Sequence, residues 1–197
     1  MPKVSPEHLE RRRGQILDAA TRCFASKGFH STSMQDIFKE SGLSAGAVYR
    51  YFPSKAEIVS EIATGRRGFV EAGLREILER ERLPSLPDLV EEFLEIFQEQ
   101  FGSEVQLRLL PEGWTAALRD EAIGEVISAI FGGVREVWTE FAVRYQAEGR
   151  LAEDADPAAV GALLTCLVPG FVMQRLLLGG VDSAVLRRGF EGVIGFS

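Results

Sequence analysis

The run 32–52, TSMQDIFKESGLSAGAVYRYF, constrains the fold of this chain more than any other part of it. It divides into two short helices around a tight turn. Thr32 and Gln35, three residues apart, have the form of a capping box, hydroxyl to backbone N–H one way and side chain back to the cap the other. Ile37 and Phe38 give the first helix an inward face, and Gly42 suits the positive φ that follows a helix end. Leu43 tucks beneath the turn, Ser44 caps the second helix, and Val48 and Phe52, four apart, turn inward. The expected unit is a helix-turn-helix, whose second helix enters the major groove of DNA.

Spacing alone equally allows a plain αα-hairpin in a helical bundle, or a hairpin that docks on a protein partner. The outward residues separate these readings. Tyr49, Arg50, Tyr51 and Lys55 crowd the end of the second helix, where a solvated face would mix Glu with Lys and a docking face would show an apolar stripe. Phenol hydroxyls and cations instead suit phosphate oxygens.

Residues 28–58 resemble the DNA-binding segment of the tetracycline-repressor (TetR) family of bacterial transcription regulators. The matching pieces are Gly28-Phe29, Thr32-Ser33, Asp36-Ile37, Ser41-Gly42-Leu43-Ser44, Gly46, Val48-Tyr49-Arg50-Tyr51-Phe52 and Ser54-Lys55. The remaining residues match that family only in length and helical texture. The resemblance implies that Tyr49, Tyr51 and Lys55 contact phosphates and that Gly46 approaches the bases. It also implies a dimer on a double-stranded, palindromic operator and a small-molecule effector. Two positions depart from the family's habit: Ala45 stands where many members carry Lys or Arg, and Ala47 where many carry Thr, Ser or Asn. With Ser44, Ala45, Gly46 and Ala47 at its front, the second helix has little hydrogen-bonding reach there. Gln35 and Arg50 remain as the long polar readers of base edges.

A formal net charge of −7 argues at first against a nucleic-acid partner. The charge is unevenly placed. Residues 1–55 hold nine Lys and Arg against five Asp and Glu, a net of +4, and the remainder carries −11. Phosphate attraction is local, screened beyond about 8–10 Å, so a basic head on an acidic body suffices.

No alternation of strand type competes with the three- and four-residue periodicity, so the chain is expected to be all-α, with about nine helices. Ser5-Pro6 reads as a cap with proline at the first helical position, opening a helix that buries Ile16, Leu17, Ala20 and Phe24. Arg11, Arg12 and Arg13 near its start are either a solvated turn or phosphate contacts. After Pro53 a long helix runs to about residue 82. Asp88 is expected to cap the next helix, and Pro111 to begin or interrupt another. A regular helix follows over about 120–148, Asp156-Pro157 opens an apolar one through Leu178, and a last one starts near Ser183. The domain division is drawn at residue 53: a DNA-binding head over 1–53, a ligand-binding and dimerisation body over 54–197.

Residues 157–174 are 18 uncharged positions, the length of a membrane span. Pro169, Gly161, Gly170, Thr165 and Gln174 speak against one, and a helix apolar all round also fits burial against a second copy. Leu163, Leu167, Phe171, Val185, Leu186 and Phe190 are the candidates for that dimer core. A pocket for an apolar or aromatic effector is drawn from Phe93, Phe97, Trp114, Phe131, Trp138 and Met173, with Gln174 or Thr165 for orientation. Cys23 and Cys166 sit in apolar patterns and are read as reduced core thiols, which suits the cytoplasm, as does the absence of an apolar leader in the first residues. Neither histidine, His8 or His30, pairs with a cysteine at metal-ligand spacing, and no phosphate loop or nucleophile elbow is present. The sequence therefore implies no metal, no cofactor and no catalysis.

Overall fold

The computed structural model describes residues 6–29 and 31–194, and among these every regular element is helical. In order they are α1 (Pro6–Lys27), α2 (Met34–Ser41), α3 (Ala45–Tyr51), α4 (Lys55–Leu78), α5 (Leu86–Phe101), α6 (Glu104–Ala117), α7 (Glu121–Ala147), α8 (Pro157–Thr165), α9 (Leu167–Leu177) and α10 (Ser183–Ile194). The proposed caps at Ser5 and the turn residue His30 lie outside the described residues.

Four helix limits differ from expectation, the first being that of α4, which ends at Leu78 rather than near residue 82. The apolar stretch after Asp156 is two segments, because Pro169 has no N–H to offer the Thr165 carbonyl and its ring crowds that oxygen. The chain tightens there instead, with the Cys166 N–H donating to the Leu163 carbonyl at 3.0 Å. Ser85, not Asp88, caps α5: its hydroxyl accepts from the Asp88 N–H, with Pro87 in the first turn. Pro111 neither begins nor ends a helix but sits inside α6. The cap at Asp156 is as expected, its carboxylate accepting from the Ala158 N–H at 2.9 Å.

The chain forms two compact units, and neither is a continuous stretch: one joins the residues up to Gly65 with Arg108–Ile127, the other Arg66–Leu107 with the described residues from Ser128 on. In the first unit, Ile16, Ala20, Cys23 and Phe24 of α1 close on Ile37, Val48, Phe52 and Ile58, with Leu109 at the margin. Burial pushes the Cys23 thiol pKa up, as befits an inert core thiol.

In the second unit an aromatic core runs through Phe93 and Trp138, edge to face at 4.9 Å, to Phe141, and through Phe97 to Phe171. The α10 helix packs along α5, where Arg187 reaches Asp88 at 2.8 Å and Glu91 at 3.1 Å. The segment after α4 is held by its carbonyls. Arg144 donates to those of Leu78 and Glu81, Arg150 to those of Leu83 and Pro84, and the Tyr145 hydroxyl to Pro84 at 3.0 Å. Burial raises the Tyr145 pKa to about 12, so the phenol stays a donor. The Leu78 carbonyl is the last of α4, where a guanidinium supplies the donor a helix C-terminus lacks, and the other carbonyls belong to the loop that follows.

Candidate nucleic-acid interface

Capping chemistry places α2, but not through the expected pair. Ser33 is the cap: its hydroxyl accepts from the Asp36 N–H at 3.2 Å, and Asp36 accepts from the Ser33 N–H at 2.9 Å. Thr32 is instead buried, its hydroxyl donating to the Gly28 carbonyl at 2.8 Å. That leaves Gln35 exposed and outside the box. Lys27 of α1 pairs with Asp36 and Arg22 with Glu40, which ties α2 to α1. Lys27, then the Ser33 backbone and hydroxyl, hold the Asp36 carboxyl well below the usual carboxylate range.

Gly42 adopts φ +67 and its N–H bonds back to the Lys39 carbonyl, so the left-handed turn falls on the one residue type that takes it without strain. Gln15 of α1 donates to the Ser41 carbonyl at 2.7 Å, fixing the turn from behind. Ser44 caps α3, accepting from the Ala47 N–H at 3.3 Å. Val48 and Phe52 are buried beneath α3.

The outer side of α3 follows by rotation. Ser44, Ala45, Gly46, Tyr49 and Arg50 are exposed, and Ala47 and Tyr51 are half-buried. Tyr49, 48% exposed, sets its ring edge-on against Phe38 at 5.2 Å, which steadies the phenol. Tyr51 packs at the margin of the core cluster. Among the described residues Arg50 pairs with no acid. The small residues at the front of α3 let another surface approach its backbone closely, and the aromatic and cationic ones behind can reach outward.

The α1 arginines divide. Arg13 bonds Glu61 of α4 at 2.6 Å and lies over the Phe52 ring at 4.9 Å, so it is a packing residue. Arg12 donates to Gln15 and Arg11 to His8. Lys55 is also turned inward. Its ammonium donates to the carbonyls of Phe29 at 2.8 Å and Thr32 at 2.9 Å and sits 4.2 Å from the Phe29 ring centre, and burial lowers its pKa. Glu112 of α6, which the sequence does not single out, accepts from the Phe29 N–H at 2.5 Å.

The effector candidates are not gathered into one lining. Phe93, Phe97 and Trp138 are buried in the second unit and Phe131 is half-buried there, whereas Trp114 belongs to the first unit. Met173 and Gln174 are exposed, because Phe171 and Val172 take the inward positions of α9. The dimer candidates need a similar correction. Phe171 is 1% exposed, committed to its own chain's core against Phe97. Leu163 is 66% exposed, while Leu167, Val185, Leu186 and Phe190 are half-buried. Leu177, Leu178 and Val193, not among the dimer candidates drawn from the sequence, are the most exposed apolar side chains at this end of the chain. Cys166 is exposed rather than a core thiol.

Comparison with known proteins adds three kinds of match. The family model for bacterial regulatory proteins of the tetR family matches residues 16–62, from α1 into α4. The HTH-type transcriptional regulator YfiR of Bacillus subtilis is 43% identical over 79 residues, 40% of this chain and 35% of its own length. Over the whole chain, the solved structure of Salmonella enterica GusR is 25% identical with a TM-score of 0.77, covering 98% of this chain and 100% of that one. The SmeT–triclosan complex shares the fold at 23% identity and a TM-score of 0.71, covering 91% of each.

Proposed function

The chain belongs to the tetracycline-repressor (TetR) family of bacterial transcriptional regulators, and from that premise we propose that it is a repressor acting as a homodimer on a palindromic operator under the control of an apolar or aromatic small molecule. As a member it is a DNA-binding regulator and not an enzyme. The observation that carries the reading is the outer side of α3: a short capped helix presenting Ala45, Gly46, Tyr49 and Arg50 to solvent. Gly46 and the alanines admit the helix to the bases, Tyr49 and Tyr51 hold phosphates, and Gln35 with Arg50 supplies polar readout.

The dimer is supported by the bare apolar side chains of α8, α9 and α10. By length and composition the stretch Pro157–Leu177 is apolar enough to cross a membrane, yet it carries Pro169 and the charged Arg175. A second copy of the chain, in the cytoplasm with the DNA, is the occupant we assign to it. The effector class is supported by the aromatic core of the second unit, where the Trp138 indole N–H is buried and has no hydrogen-bond partner among the described residues. An effector oxygen would satisfy it. The SmeT complex shows the same fold holding an aromatic molecule.

The test is selection of bound duplexes from a randomised library, followed by fluorescence anisotropy at several salt concentrations. A two-fold symmetric motif with half-sites about 34 Å apart, one DNA turn, is expected. Failure to enrich any sequence overturns the proposal.

A further inference from the structure

We propose that Lys55 and Glu112 are positioning residues that set the α1–α2 turn, and with it the helix-turn-helix, from behind, and that Lys55 is not a phosphate ligand in this chain. The inference rests on the DNA-binding reading above but departs from the role the family resemblance assigns to Lys55. Phe29 is gripped at both ends of its own backbone: its N–H donates to the Glu112 carboxylate and its carbonyl accepts from the Lys55 ammonium. The same ammonium bonds the Thr32 carbonyl, next to the Ser33 cap that starts α2. Two helices, α4 and α6, thus fix the residues that fix α2, and α2 fixes α3 through the Gly42 turn.

An ammonium has three donors, and here two are spent on carbonyls while the Phe29 ring covers a further side. Reaching a phosphate would break both bonds and leave the Phe29 and Thr32 oxygens without their donor, the expensive half of the hydrogen-bond exchange. Gly28 bears the same constraint from the chain side. Its φ of +80 favours glycine, and a Cβ there would press on Glu112 Oε2 at 3.2 Å.

The two accounts of Lys55 differ in the salt dependence of binding, and those of Glu112 differ in sign. Take a fluorescein-labelled duplex recovered by the selection described above and titrate wild type, Lys55→Met, Glu112→Gln and Glu112→Ala by anisotropy across a salt series. A phosphate ligand lost from each half-site would lower the magnitude of the log–log salt slope by about 2 per dimer. Positioning leaves the slope at its wild-type value while Lys55→Met loses roughly tenfold in affinity for the selected duplex, about 1.4 kcal/mol. Glu112→Ala removes a negative charge, so pure electrostatics would tighten binding to DNA. Positioning instead weakens it, with Glu112→Gln, which keeps an acceptor oxygen, restoring most of the affinity. Hydrogen exchange of the Phe29 amide in the free protein should quicken in Glu112→Ala and not in Glu112→Gln. If Lys55→Met does not fold, the two Glu112 variants carry the test. A slope lowered by about 2, or a Glu112→Ala variant binding as tightly as wild type, overturns the proposal. Wild-type protein that binds no selected duplex overturns the DNA-binding reading instead.

Discussion

Replacing Ser33 by Ala removes one half of the α2 capping box and should cost about 1 kcal/mol of stability, read as a lower urea midpoint. Gln35→Ala, which the sequence pattern alone would make equally damaging, should leave that midpoint unchanged, because Gln35 caps nothing. Its effect belongs elsewhere: in selected sequences Gln35→Ala and Arg50→Ala should each relax a different position of the half-site, and retention of the full motif by both would mean readout by shape or methyl contact. Asp36 makes the cap sensitive to acid. With its folded pKa depressed by Lys27 and Ser33, its contribution is present at neutral pH and is lost as pH falls below about 4. Asp36→Asn should therefore be less stable than wild type at pH 7 and show a flatter loss of stability on acidification. The chain spells a three-residue capping pair twice, at Thr32/Gln35 and at Ser33/Asp36. Which one forms is decided by the burial of Thr32 against Gly28 and by Lys27 waiting on α1, neither visible in the local pattern. The outward placement of Tyr49 and Arg50 was legible because rotation about a short helix needs only the positions of Val48 and Phe52, whereas Tyr51, also read as outward, packs at the margin of the core. The inward turn of Lys55 was not legible, since it depends on two backbone carbonyls and an aromatic ring more than twenty residues away.

At the level of elements, α8 presses on α7 at Gly161. A Cβ there would stand 2.2 Å from Thr139 Oγ1, 3.0 Å from the Thr139 nitrogen and 3.1 Å from the Arg135 carbonyl. The Thr139 hydroxyl is itself bonded to that carbonyl, so the side chain cannot yield freely. Gly161→Ala should destabilise by about 1–3 kcal/mol in thermal unfolding despite its better helix propensity, and Thr139→Ala should recover only part of this because the backbone contacts remain. Such crossings explain why helix identity was readable and helix limits were less so. Periodicity and caps of the Asp156-Pro157 kind locate helices well. The two interior prolines behave oppositely, Pro169 dividing α8 from α9 and Pro111 absorbed within α6, where Leu107 and Ala116 are buried on either side of it. Nothing in the neighbouring residues separates the two cases, since both prolines lack the same N–H and crowd the carbonyl four residues back.

For the whole molecule, the bare side chains Leu163, Leu177 and Val193 give the proposed dimer its most direct test. Leu177→Glu or Val193→Glu should shift sedimentation at micromolar concentration from dimer to monomer and weaken operator binding, because one half-site alone then carries each contact. Both side chains are more than 70% exposed in the single chain, so neither substitution should unfold it. The charge asymmetry at residue 55 is plain in the sequence, but it does not follow the units: the first, with residues 108–127 included, holds eleven Lys and Arg against eleven Asp and Glu. The discontinuous make-up of the two units was not legible, because residues 108–127 join residues up to 65 through contacts distant in sequence. That division also distributes the chain's two tryptophans, Trp114 in the first unit and Trp138 in the second. Each unit thereby carries its own fluorophore, one half-buried and the other sealed in an aromatic core. Trp114→Phe leaves a protein whose emission is blue-shifted and shielded from acrylamide, and Trp138→Phe leaves a redder, more quenchable one. Followed through chemical denaturation, the two single-tryptophan proteins report separately on the first and second units, and midpoints that diverge between them would expose a half-unfolded intermediate invisible to a probe of total helix.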